Sequence, residues 1–125
     1  MGVLATSLGA GVGVSTGLLG GYLGGWVDSV VMRLCDVLLA FPGIIIGIAV
    51  ISVLGPSSVN VAYAIALGGL PFFARLMRSS VLSERERDYV QAARCIGARD
   101  RRIMFLHVLP NTLAPLLVQL SLAMG

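Results

Sequence analysis

Tyr89-Val-Gln-Ala-Ala-Arg-Cys-Ile-Gly-Ala-Arg-Asp-Arg-Arg-Ile-Met-Phe-Leu-His-Val-Leu-Pro110 is a polar island between oily segments. At about 100° per residue, Tyr89, Ala92, Ala93 and Ile96 fall on one face of a helix, and Glu84, Arg87, Gln91 and Arg94 fall on the other. Arg85 is the exception, at the edge of the apolar side. Ser83 with Glu86 three residues on reads as a capping box that starts this helix, and Gly97 as the left-handed residue that ends it. A second short helix is expected to begin near Asp100, as its N-cap, and to be interrupted at Pro110. Periodicity alone leaves two roles open: a docking element, or a basic surface helix lying among lipid headgroups.

Outward from this island the chain is apolar. Of its residues 57% are hydrophobic and 12% charged, and the mean hydropathy is +0.93, which places it outside soluble domains and among membrane proteins. The net charge of +3 comes from nine arginines and no lysine, and eight of the nine lie between Arg75 and Arg102. Such clustering is a topology signal, fixing that loop on the cytoplasmic side; it does not read as a nucleic-acid surface. Cys35 and Cys95 are far apart and expected on the same, reducing side, so they are expected as thiols. The N-terminus has no basic region ahead of its apolar stretch, as a signal peptide would.

Val3 to Trp26 is uncharged and long enough to cross a bilayer core of about 20 helical residues. Gly9, Gly13, Gly17, Gly21 and Gly25 recur every fourth residue and form one ridge, on which a second helix can approach closely. The pairs Gly20-Gly21 and Gly24-Gly25 point to irregular final turns. Tyr22 and Trp26 suit a membrane interface, and Asp28, Arg33 and Asp36 its watery side, with Arg33 and Asp36 spaced to pair along one helix. Val37 to Leu54 reads as a second span, kinked where Pro42 frees the carbonyl of Leu38. Gly55-Pro56-Ser57-Ser58 is a turn. A third span runs from Asn60 to about Ala74, softened by Gly68, Gly69 and Pro71. Leu116 to Ala123 begins a fourth, inside which the chain stops, so the sequence reads as a fragment with three full spans and a truncated fourth.

Three features now combine. Gln91-Ala92-Ala93 is followed after three residues by Gly97, and after nine more by His107-Val108-Leu109-Pro110. This resembles the cytoplasmic loop of ABC-importer permeases, whose signature is Glu-Ala-Ala, three residues, Gly, nine residues, then Ile-x-Leu-Pro; Gln91 stands for the acid and His107 for the isoleucine. The wording from Arg87 to Ala98, the run His107 to Asn111, and the Tyr-x-Gly-Gly and Met-Arg-x-x-Asp runs at Tyr22 and Met32 are similar to the dipeptide, oligopeptide and nickel branch. The resemblance implies an all-α, polytopic helical bundle of the type I permease kind in the inner membrane. Residues 1–125 would be part of one permease domain and 75–111 its coupling loop. It further implies a subunit about twice this length, paired with a second permease subunit, ATPase subunits and an extracytoplasmic substrate-binding protein. In that reading Tyr89, Gln91, Ala92, Ala93, Ile96, Gly97, His107, Leu109 and Pro110 meet the ATPase.

Catalytic chemistry is not expected here. No glycine-rich phosphate loop is present, so ATP would be bound by the partner and this chain would hold no cofactor. His107, the single histidine, has neither cysteine at ligand spacing, so no metal site is expected, and no Ser/His/Asp arrangement can be assembled.

Overall fold

A computed structural model describes residues 2–124. Met1 and Gly125, the ends of the expected domain, lie outside them. The described residues form helices joined by short breaks, with no strand among them. The chain is a helical membrane bundle.

α1 (Gly2–Leu23) and α4 (Ser58–Arg85) are its axis. β-Carbons built on Gly9, Gly13 and Gly21 would stand 2.7, 2.8 and 3.1 Å from the carbonyl oxygens of Ala66, Leu70 and Arg78, and one on Gly17 would strike that of Ala74. Contacts advance by four residues on both helices in the same direction. The two helices therefore run parallel, with the glycine ridge seated on α4's backbone. Gly25, the expected fifth member, is not on the ridge. Gly24 and Gly25 have φ of 63° and 55°, a left-handed break that glycine enters without a β-carbon penalty, and α2 (Gly25–Ala40) starts there.

The stretch expected as one span from Val37 to Leu54 does bend at Pro42, but it starts earlier and the helix breaks outright there. α2 already begins at Gly25, ends at Ala40, and is followed by α3 (Gly43–Leu54) at an angle of 91°. Proline is the cause. It cannot donate to α2, and it excludes the helical conformation from Phe41, which is extended at φ −99° and ψ 133°. The Pro42 carbonyl then accepts from the amides of Ile45 and Ile46 and opens α3. Because α1 and α4 are parallel, the segment between them must return the chain across the membrane, so α2 and α3 together make one bent crossing.

The turn at Gly55 to Ser57 is as expected. Gly55 has φ 87°, the Ser57 hydroxyl accepts from the Val59 amide, and the Asn60 carboxamide donates to the carbonyls of Leu54 and Gly55 at 2.8 Å each. α4 does not end near Ala74. It continues through a buried Pro71 for 28 residues, a length of about 42 Å at 1.5 Å per residue, so its last turns pass beyond a hydrocarbon core of about 30 Å. Ser83 belongs to this helix and Glu86 caps its end, so they do not form the expected capping box. Asp36 pairs with Arg75 of α4, and not with Arg33. Asp28 takes Arg78 in a two-pronged pair, 2.6 Å for one prong.

Beyond the loop, Asp100–Met124 is one helical run of 25 residues, long and apolar enough to cross a membrane. It comprises α6 (Asp100–Arg102), a π-helical segment (Ile103–Val108) and α7 (Leu109–Met124). Pro110 does not interrupt it. The wide turn just before the proline, where Leu109 donates five residues back to Met104, lets the helix absorb it. Asp100 is the first helical residue, with Arg99 in the capping position.

Candidate functional site

Only about residues 86–99 of the expected loop 75–111 lie outside the long helices. α5 (Asp88–Cys95) is the helix within it. Val90 and Ala93, three residues apart, turn inward and pack with Met77 and Val81 of α4, Leu18 and Tyr22 of α1, and Ile103. The projecting end of α4 thus serves as a pedestal. The helix is rotated from the expected orientation: Ala92 and Ile96 share no face with the buried Ala93 but point outward with Gln91 and Cys95, and Ile96 is 85% exposed. Val90, fully buried, was missed because tyrosine and alanine suggested the apolar face; its i,i+3 spacing to Ala93 is the available signal.

Gly97 ends α5 as expected, at φ 82°. Its amide donates to Arg94 and that of Ala98 to Ala93, the paired bonds of a Schellman motif, and Ala98 packs on the same cluster. Other contacts tie the loop to α1. The Arg85 guanidinium donates to the Gly21 carbonyl at 3.1 Å, near the negative end of that helix, Tyr22 donates to Asp100 at 3.3 Å, and the Arg94 guanidinium lies 5.9 Å from the Tyr22 ring centre.

Tyr89 does not point outward. Its half-buried hydroxyl donates to Glu84 at 2.6 Å and accepts from the Asn111 amide at 3.0 Å; Asn111 also donates to the His107 carbonyl at 2.6 Å. The His107 ring stands edge-on to it, 6.4 Å between centres. Burial, and then the Glu84 carboxylate, hold the Tyr89 phenol above its ordinary pKa. Thus the half-buried Tyr89 and His107 are brought together with the exposed Asn111, with Leu109 half-buried nearby, while Gln91, Ala92, Ile96, Gly97 and Pro110 stay exposed. Glu84, held also by Arg87 at 3.2 Å, is a site member that the sequence reading placed only on a polar face. Among the described residues no three His, Cys, Asp or Glu side chains gather as metal ligands, and both cysteines are free, Cys35 buried and Cys95 exposed.

The loop is thus a short helix on a pedestal between long apolar helices, closed by a glycine and followed by Leu-Pro. The profile of the binding-protein-dependent transport system inner membrane component family matches residues 12–125. The chain belongs to that family. The dipeptide transport system permease protein DppC of Alkalihalophilus pseudofirmus is 46% identical over 100 residues, 80% of this chain and 33% of that protein. The glutathione transport system permease protein GsiD is 44% identical in Escherichia coli O6:K15:H31 and 50% in Salmonella paratyphi A, each over 124 residues, 99% of this chain and 41% of the relative. The chain therefore spans about a third to two-fifths of the length of these relatives. It is an inner-membrane component sequence of that family, and its long apolar helices make it a multi-pass membrane chain.

Proposed function

We propose that this chain is part of the membrane-spanning subunit of an ATP-driven importer of short peptides, and that α5 is the helix through which a partner ATPase moves it. The observation that carries the reading is the division of α5 into two faces. Val90 and Ala93 are locked into the chain's own core, while Gln91, Ala92, Cys95 and a nearly bare Ile96 face outward. On the outer side of an arginine-rich loop, an apolar residue so exposed is available to anchor in a partner's cleft. ATP would bind and be hydrolysed in that partner. Its closure, transmitted through α5 to α4 and the Asp100–Met124 run, would change the side to which the pathway opens, provided the loop contacts differ between the two states. A second permease subunit and an extracytoplasmic binding protein complete the assembly. Peptide-type cargo is supported by the dipeptide and glutathione named for the relatives.

The test joins topology to association. On a background lacking Cys35 and Cys95, Ser57→Cys should react with an impermeant thiol reagent in intact cells and Ser83→Cys should not. The ATPase should co-purify with the parent and be lost with Ile96→Asp. Labelling of Ser83→Cys alone, or an ATPase indifferent to Ile96→Asp, would return α5 to the headgroup region as a lipid-facing helix.

A further inference from the structure

α5 has eight residues, and both its ends leave the helix at once: Glu86 and Arg87 on one side, Ile96 to Arg99 on the other. Its fully inward apolar side chains are two modest ones, Val90 and Ala93, close to one line along its axis, with the half-buried Tyr89 ring packed beside them. A short helix held so can rock about that line, and a push on its outer face would then be absorbed locally instead of reaching α4 and α7. Besides the packed Tyr89 ring and the Arg94 guanidinium over Tyr22, what opposes the rocking is a single oxygen atom. The Tyr89 hydroxyl gives its proton to Glu84 at the end of α4 and receives one from Asn111 in the first turn of α7. Both partners are themselves fixed, Glu84 by Arg87 and Asn111 by the His107 carbonyl in the π-helical segment. On this side α4 and α7 are parted by a partly polar cleft of about 310 Å³, whose lining includes Ser80, Ser83, Glu84, Asn111, Thr112 and Pro115. The phenol bridges its end.

We propose that Glu84, Tyr89 and Asn111 form a clasp that fixes the angle of α5 to α4 and α7, with Tyr89 the positioning residue that delivers the movement of α5 to both helices. The delivery rests on the coupling role proposed above; the clasp itself does not. Tyr89 is thereby assigned to the chain's own frame and away from the ATPase surface, since its hydroxyl is already committed as donor and as acceptor.

Two readouts on the intact transporter in lipid nanodiscs separate these claims: amide hydrogen exchange over 88–97, and substrate moved per ATP hydrolysed. Tyr89→Phe keeps the ring and removes the oxygen. It should speed exchange in α5 by roughly tenfold, the size expected for a lost hydrogen bond to a charged group, and lower substrate moved per ATP while the ATPase still co-purifies. Asn111→Ala should act in the same direction, and the double variant should be no worse than the more affected single one. Glu84→Gln, which keeps an acceptor, should restore what Glu84→Ala loses. Unchanged exchange in Tyr89→Phe, or fully additive effects in the double variant, overturns the clasp. Faster exchange with transport per ATP unaltered overturns the positioning role. If the parent associates with no ATPase, the coupling reading fails, and the exchange data still decide the clasp.

Discussion

Gly13 of α1 lies so close to Leu70 of α4 that a β-carbon built on it would stand 2.8 Å from the Leu70 carbonyl oxygen and equally near the Phe73 β-carbon. Backbone meets side chain there, and α4 cannot yield by turning a rotamer. Gly13→Ala should cost about 1–3 kcal/mol, the range for forcing atoms into a packed contact. Gly11 is the internal control. A β-carbon on it meets nothing within 4 Å, so Gly11→Ala should be neutral or stabilising by about 0.5–1 kcal/mol through helix propensity alone. Thermal unfolding in detergent decides the matter, and equal midpoints for the two variants would mean that the ridge does not hold α1 to α4.

The ridge was legible because periodicity survives into packing: four of five spaced glycines are where the count puts them. Helix ends were harder. Pro42 ends a helix and Pro71 and Pro110 do not, although all three are prolines in apolar surroundings. The difference comes from neighbours that sequence order does not display. Pro71 is buried within α4, which packs along α1, and Pro110 follows a widened turn. Pro42 stays exposed, in a stretch where α3 has no buried residue to hold it straight. The pairing of Asp36 was misread for a similar reason. Arg33 is the nearer arginine in sequence, but α4 brings Arg75 alongside. In the loop, the Gly97 stop was legible and the rotation of α5 was not, because the face that turns inward is chosen by Met77 and Val81 on another helix.

Gly97 allows a clean separation of conformation from space. Its φ is 82°, and a β-carbon there meets nothing within 4 Å, so any cost of substitution is conformational. Gly97→Val should lose about 1–2 kcal/mol, as a residue with a branched β-carbon in the left-handed region, and Gly97→Asn distinctly less. Limited proteolysis across 94–100 follows the local opening. If valine and asparagine are cut at the same rate, the Schellman closure is not what orders this turn.

Tyr89 carries a pH signature. Its folded pKa is raised from the ordinary 10.0, first by burial and then by Glu84, so the fold favours the neutral phenol. Its contribution to stability is therefore fully present below pH about 10 and lost as pH rises through the folded value. Tyrosinate absorbance, taken as the difference between the parent and Tyr89→Phe, should show a midpoint above 10. Glu84→Ala should lower that midpoint without removing the part due to burial. An unmoved midpoint in Glu84→Ala would mean that the carboxylate does not hold the phenol in solution.

Ala92 and Ala93 are adjacent in sequence and opposite in fate. Ala93 is 7% exposed and enclosed by Val81, Val90 and Ile103, whereas Ala92 is exposed beside Ile96. A carboxylate at 93 enters the chain's own core without a partner, a burial that costs on the order of several kcal/mol and exceeds what a marginal loop can bear. Ala93→Asp should therefore reduce abundance and unfold the loop before any partner is considered. Ala92→Asp places the same charge in water, should leave abundance and proteolytic resistance near those of the parent, and should weaken ATPase association and uptake together. Abundance, proteolysis and ATPase co-purification, measured on both variants, distinguish the two faces. If Ala92→Asp associates and transports like the parent, α5 does not dock through this face. If Ala93→Asp is as abundant and protease-resistant as the parent, the inward packing of α5 is wrong.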